Sequence, residues 1–324
     1  MILGLCAAYT VVGLIVFTLN TLFFISIIRT AHLRSKYIVI STQIANDALS
    51  GLGLLLAGSG RAIIWLTDPN SLKSRRYCML MPWNIIFIWI EPMTGVSMLM
   101  VSLDRLLAIL FPLKYFTRST CIQYLEVAIP SAILALLTFE SWYSTFPDIA
   151  ETVSSACWSK DSWQSFHDEL AFTLRLASAF GGMILYAAAF ALSRRYQQRV
   201  SHTRYGDSMI AFQKRQSQLT VTLCISCIFT LVFYILPTVI EFIILTILGK
   251  EMNDVLTIYT GISSNISSLS NLVVLYVRQH DLAEAVNVYL PAAIRQRKNK
   301  AMVNATIPRA PFVTCPSGTK PTPS

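Results

Sequence analysis

Seven long apolar runs alternate with short polar segments along this 324-residue chain. They lie near residues 2–29, 37–64, 80–109, 122–142, 170–192, 219–248 and 255–277. Each holds the roughly 20 residues needed to cross a bilayer. Backbone N–H and C=O groups find no water in hydrocarbon, so the runs are predicted to be helices. Run length and the lack of two-residue alternation exclude a β-barrel. Pro92, Pro130 and Pro237 fall inside runs and are predicted to kink them. The fifth run has no proline, and Gly181-Gly182 are expected to supply its irregularity. Beyond the seventh run, residues 281–290 are amphipathic, with Leu282, Ala285, Val286, Tyr289 and Leu290 on one face. The predicted fold is therefore an all-α membrane protein. It is a seven-transmembrane helix bundle with a short amphipathic eighth helix, over residues 1–290. Residues 291–324 begin basic and end rich in Pro, Thr and Ser, and read as a disordered cytoplasmic tail.

Composition supports that reading. The chain is 54% hydrophobic and 13% charged, with mean hydropathy +0.55. A soluble domain carries about 25% charged residues. The first run starts at residue 2, is long for a secretory signal and lacks its basic start. It reads as a membrane helix, so a ligand is expected to be caught by helices and short loops. With the N-terminus outside, nineteen lysines and arginines fall in inner segments. Six fall in outer ones: Arg61, Lys73, Arg75, Arg76, Lys160 and Lys250. The basic stretch at 71–76 runs against this bias. The net charge of +9 then reflects topology and an inner face beside anionic lipid, not nucleic-acid binding.

Charges inside apolar runs are costly, about 2.5–3.5 kcal/mol each at the bilayer centre, and persist where they act. Glu91, Arg175 and Glu241 are such charges in outer halves of spans. With Phe87 they are the candidates for a ligand cavity, and Arg175 and Glu241 are candidates for a pair. Asp47 lies mid-span and, with Asn20, Thr94, Ser268 and Asn271, could form one buried polar cluster. That cluster reads either as an ion or water site or as interhelical hydrogen bonding alone. Cys78 and Cys157 both fall on the oxidising side, so a disulfide is expected. Cys224 and Cys227 have a metal-like spacing but sit in an apolar helix, where they read as small core residues. The four histidines lie in loops or run ends, and no catalytic or metal constellation emerges.

Asp104-Arg105-Leu106 ends the third run and is followed by Phe111-Pro112-Leu113-Lys114-Tyr115. With Asn20, Gln43-Ile-Ala-Asn-Asp47, Pro237 and Asn271, this order resembles rhodopsin-like G-protein-coupled receptors over about residues 10–290. Departures are plain. Leu106 replaces a tyrosine, Tyr234-Ile-Leu-Pro237 lacks a tryptophan, and Leu272 replaces a proline. This pattern, with Leu-Leu-Ala-Ile-Leu-Phe-Pro retained, resembles nematode serpentine chemoreceptors. The resemblance implies a chemosensory receptor for a small extracellular molecule, not an enzyme. It implies a heterotrimeric G protein engaged at Asp104, Arg105, Pro112, Lys214 and Arg215. It implies a sodium or water site at Asp47 and a place in the cell membrane, N-terminus outside, with a sensory cilium as a candidate location. Lys214 and Arg215 stand at the base of the sixth run, so no lock between the third and sixth helices is expected. Phe87 stands where amine receptors carry Asp, which disfavours a biogenic amine, and the seventh run has no lysine for retinal. A neuropeptide receptor of the same fold is one alternative. A small-solute transporter is another, but inverted repeats and paired broken helices are absent from the sequence.

Overall fold

The computed structural model describes residues 2–68, 71–200, 221–222, 224–248 and 254–289. In chain order these form α1 (Ile2–Arg29), α2 (Ala31–Lys36), α3 (Ile38–Thr67), β1 (Leu72–Ser74), α4 (Arg75–Met79), α5 (Pro82–Leu110) and α6 (Pro112–Thr145). There follow β2 (Glu151–Ser154), α7 (Ser159–Ser162) and α8 (Ser165–Val200). Residues 224–230 are helical and pass through a π-turn, Leu231–Ile235, into α9 (Leu236–Leu248). Last come α10 (Asp254–Arg278) and α11 (His280–Tyr289). Helices α1, α3, α5, α6 and α8 carry segments long and apolar enough to cross a membrane, and Cys224–Ile240 is a shorter apolar helix. With α10 they make the seven spans of an all-α bundle.

Packing is closest between α1 and α3 and between α5 and α8. Four glycines let α3 sit between its neighbours. Gly51 and Gly58 lie against α1 backbone; Gly53 and Gly60 lie against the rings of Phe87 and Trp83. Helix α6 is peripheral, and its Leu136, Phe139 and Tyr143 are more than 70% exposed, as lipid-facing side chains are.

Helices α5 and α6 continue through Pro92 and Pro130 without a break. Among these three prolines in the described residues, the helical pattern changes at Pro237. Proline has no N–H to give the carbonyl four residues back, that of Phe233. The π-turn accommodates the ring, and Ser263 of α10 donates its hydroxyl to the orphaned Phe233 carbonyl at 2.6 Å. The predicted irregularity at Gly181-Gly182 is absent, since α8 is continuous there. Gly182 instead lies against the Met98–Leu99 backbone, where a Cβ would come within 3.2 Å.

The two strands had no signal in the sequence. They pair antiparallel, Leu72 opposite Ser154 and Lys73 opposite Val153. The basic stretch 71–76 finds local partners: Lys73 with Asp68 at 3.9 Å, Arg75 with Asp148 at 3.5 Å, and Arg76 over the Phe146 ring. Its charge is thus engaged within its own end of the bundle. The predicted eighth helix forms, but its buried face is Leu282, Ala283 and Val286, while Tyr289 is exposed. Leu282 and Val286 stay at the centre of the buried face, with Ala283 beside them and Tyr289 at its edge. Lys214, Arg215 and the tail 291–324 lie outside the described residues.

Candidate functional site

A cavity of about 610 Å³ opens between the helices at the end of the bundle that carries the Cys78–Cys157 disulfide. It brings together Phe87, Glu91 and Thr94 of α5, Arg175 of α8, Asp47 of α3 and Ser268 of α10. These six were all candidates from sequence. Glu241, the proposed partner of Arg175, lies outside the residues whose side chains are described. The Arg175 backbone packs against α5. Gly95 lies so close to it that a Cβ would meet the Arg175 carbonyl oxygen at 2.2 Å. Glu91 is four residues before Gly95, hence on the same helical face. The Arg175 guanidinium lies 5.3 Å from the Phe172 ring centre and 5.9 Å from that of Tyr234.

The cavity's wall holds a residue that sequence reasoning misplaced. Arg61 counts as an outer-loop cation by position, yet it is buried within α3 and lines the cavity. Its Nε donates to the Ala156 carbonyl at 3.0 Å and its Nη2 to the Cys157 carbonyl at 3.3 Å. Its guanidinium stacks 4.1 Å from the Trp158 ring centre. Trp83 Nε1 and Asn84 Nδ2 also donate to the Cys157 carbonyl. Cys157 has φ +48°, a left-handed conformation costly for a residue with a Cβ. Three donors and a disulfide hold it there, and Trp158, Ser159 and Lys160 follow along the cavity wall.

Hydrogen bonds to a charged donor contribute about 1.5–3 kcal/mol each. Arg61→Met keeps the stem and removes both. Amide exchange at residues 153–160 should then speed up at least about tenfold, the equivalent of 1.4 kcal/mol. Unchanged exchange measured by mass spectrometry would remove Arg61 from this role.

At the cavity floor, Asn20 Nδ2 lies 3.4 Å from Ser268 Oγ, and Ser268 also hydrogen-bonds Asp47. Asp47 lines a second, smaller cavity with Asn271. The Oδ1 atoms of Asn20 and Asn271 are buried with no hydrogen-bond partner. Thr94 shares the large cavity, but its hydroxyl donates to the Ile90 carbonyl. Asn265, which holds Ser50 at 3.2 Å, joins this polar region and was not anticipated.

At the opposite end of α5, Asp104 and Arg105 are both buried and form an ion pair. Asp104 also accepts from the Tyr115 hydroxyl, and Gln123 Nε2 donates to Tyr115 Oη at 2.6 Å. Burial pushes the Tyr115 phenol well above its ordinary range, so it stays a donor. Glu126 adds a second carboxylate near Asp104. Sequence placed Tyr115 in the loop motif but gave no hint of Gln123. Pro112 starts α6, one turn before Tyr115, and fixes its entry. Nearby, Asp281 at the start of α11 pairs with Lys36 and accepts from Tyr37. Gln279 bridges Tyr37 and Thr222.

The family model described as serpentine type 7TM GPCR chemoreceptor Srsx matches residues 10–289. No curated protein matches the chain. The matched segment takes in α1 from residue 10, the later spans, the cavity lining apart from Tyr9, the disulfide and the Asp104–Arg105 pair, and the chain belongs to the serpentine type 7TM GPCR chemoreceptor Srsx family.

Proposed function

We propose that this protein is a chemosensory receptor that binds a small extracellular molecule in the cavity and activates a heterotrimeric G protein at the Asp104–Arg105 end. The observation that carries this is one helix with two sites. Glu91 faces the cavity, and Arg105 lies about fourteen residues on, or roughly 21 Å along α5. A ligand that shifts α5 against α8 therefore acts on the helix that holds the buried ion pair. The cavity volume falls in the range of small-molecule sites, about 300–1,000 Å³, which favours a small molecule over a neuropeptide.

The disulfide end is outside and the basic end inside in this reading. Arg105 is the coupling residue, and Lys214 and Arg215 are further candidates for contact with the G protein. The donor set around Asp47 is all oxygen, and two buried amide oxygens there have no partner. That set fits a sodium ion held by Asp47, Ser268, Asn20 and Asn271. The ion would balance the Asp47 charge when bound.

The test is reconstitution of the receptor with a heterotrimeric G protein in lipid vesicles. A panel of odorants, metabolites and peptides is scored for nucleotide exchange on the G protein and for solute uptake. At least one compound should stimulate exchange with no uptake. Uptake without exchange would establish a transporter and overturn the proposal.

A further inference from the structure

A cavity for a singly charged ligand needs charges of one sign. This cavity carries both. Glu91 and Asp168, with Asp47 at the floor, supply carboxyl groups, and Arg61, Lys160 and Arg175 supply cations. Two opposite charges come from facing turns. Gly95 presses on the Arg175 backbone, and Glu91 is one turn away on that face of α5. Both act electrostatically on the Tyr234 hydroxyl, which is buried. Arg61 is held in place by two backbone carbonyls and the Trp158 ring. Between the charges the walls are aromatic: Phe87, Trp158, Phe172 and Tyr234.

A purely cationic ligand would gain from the carboxylates and be repelled by Arg61, Lys160 and Arg175. A purely anionic ligand meets the reverse. Away from bulk water such unmatched charges are screened less than at a surface. A neutral apolar ligand would match the aromatic walls and neither set of charges. A molecule with both charges meets both sets at once. We infer that the ligand of this cavity is a small zwitterion with an apolar or aromatic body. Free apolar amino acids and short apolar peptides share that chemistry. The inference rests on the reading of this cavity as the ligand site, and it names the ligand class.

The test measures binding without a G protein. The purified full-length receptor in lipid nanodiscs is melted with leucine, phenylalanine, tryptophan and dipeptides of these, each at about 10 mM, since a ligand of the folded state raises Tm by mass action. Each is compared with its decarboxylated amine and its deaminated acid. At least one zwitterion should raise Tm, and loss of either charge should raise Kd at least about tenfold. Glu91→Gln should erase the penalty for losing the ammonium. Arg175→Gln should erase the penalty for losing the carboxylate. Response to dipeptides but not free amino acids identifies a peptide source, and the converse a free amino acid. Equal stabilisation by an amine or acid alone, or none by any zwitterion, overturns the inference. G-protein activation by singly charged or neutral odorants would overturn it while upholding the receptor reading. Zwitterion binding without nucleotide exchange would uphold it and fail the coupling reading.

Discussion

Arg105→Ala is expected to abolish ligand-evoked nucleotide exchange and to lower the amount of receptor that reaches the membrane. Both effects follow from burial. Arg105 is 3% exposed and is ion-paired to an equally buried Asp104. Truncating one member of a buried pair costs about 3–5 kcal/mol, because the other charge stays behind without its partner. Here the charge left behind is Asp104, which is 1% exposed. That loss is a large share of a typical stability of about 5–15 kcal/mol. Alanine alone would therefore confuse folding with coupling. Arg105→Lys separates them. A lysine keeps the charge beside Asp104 but loses the planar, five-donor guanidinium. It should restore most of the surface expression and little of the exchange, at least about a tenfold loss in rate. Exchange at the wild-type rate in Arg105→Lys, at equal surface density, would show that positive charge alone suffices. Exchange at the wild-type rate in Arg105→Ala would remove the residue from coupling.

Much of this was open to sequence reasoning because membranes impose simple rules. Long apolar runs had to be helices, and their number and order held. Costly charges inside them pointed to a cavity, and Glu91 and Arg175 do line one. What stayed hidden was tertiary. Arg61 sits near a span end, so it passed for a loop cation. Only the fold brings carbonyls 156 and 157 within its reach, some ninety-five residues on. Gln123 shows no charge and no motif, yet it completes the Asp104–Tyr115 network. The pairing of β1 with β2 is short and closed by a disulfide, with no periodicity to betray it. Pro237 was legible as a proline, but the Ser263 hydroxyl that answers it comes from another helix. Each miss is a polar partner supplied from elsewhere in the fold.

Gly51→Leu and Gly58→Leu are each expected to keep the receptor from reaching the cell surface, while Gly4→Leu is expected to be silent. Association of helices in lipid depends on close packing, and small residues set the approach distance. On α3 the glycines fall in two stripes, each spaced by seven residues or about two turns. Gly51 and Gly58 face α1; Gly53 and Gly60 face α5. The α1 stripe meets backbone. A Cβ at Gly51 would lie 2.5 Å from the Phe17 amide nitrogen, and one at Gly58 would lie 2.7 Å from the Cys6 carbonyl oxygen. On α1 itself, a Cβ at Gly13 would come within 2.4 Å of the Leu55 nitrogen. Backbone atoms cannot rotate away, so the two helices must separate. The α5 stripe meets the ends of the Phe87 and Trp83 rings, which can turn. Even alanine at Gly51 should therefore cost about 1–3 kcal/mol, the range for overpacking, and leucine more. Alanine at Gly53 should cost less and instead push Phe87 within the cavity it lines. A Cβ at Gly4 would meet nothing within 4 Å and would face open space. The measurement is surface receptor by flow cytometry, with Tm of the purified fraction. Damage from alanine should rise in the order Gly4, Gly53, Gly51. Equal tolerance at Gly4 and Gly51 would mean that the α1–α3 contact does not set the fold.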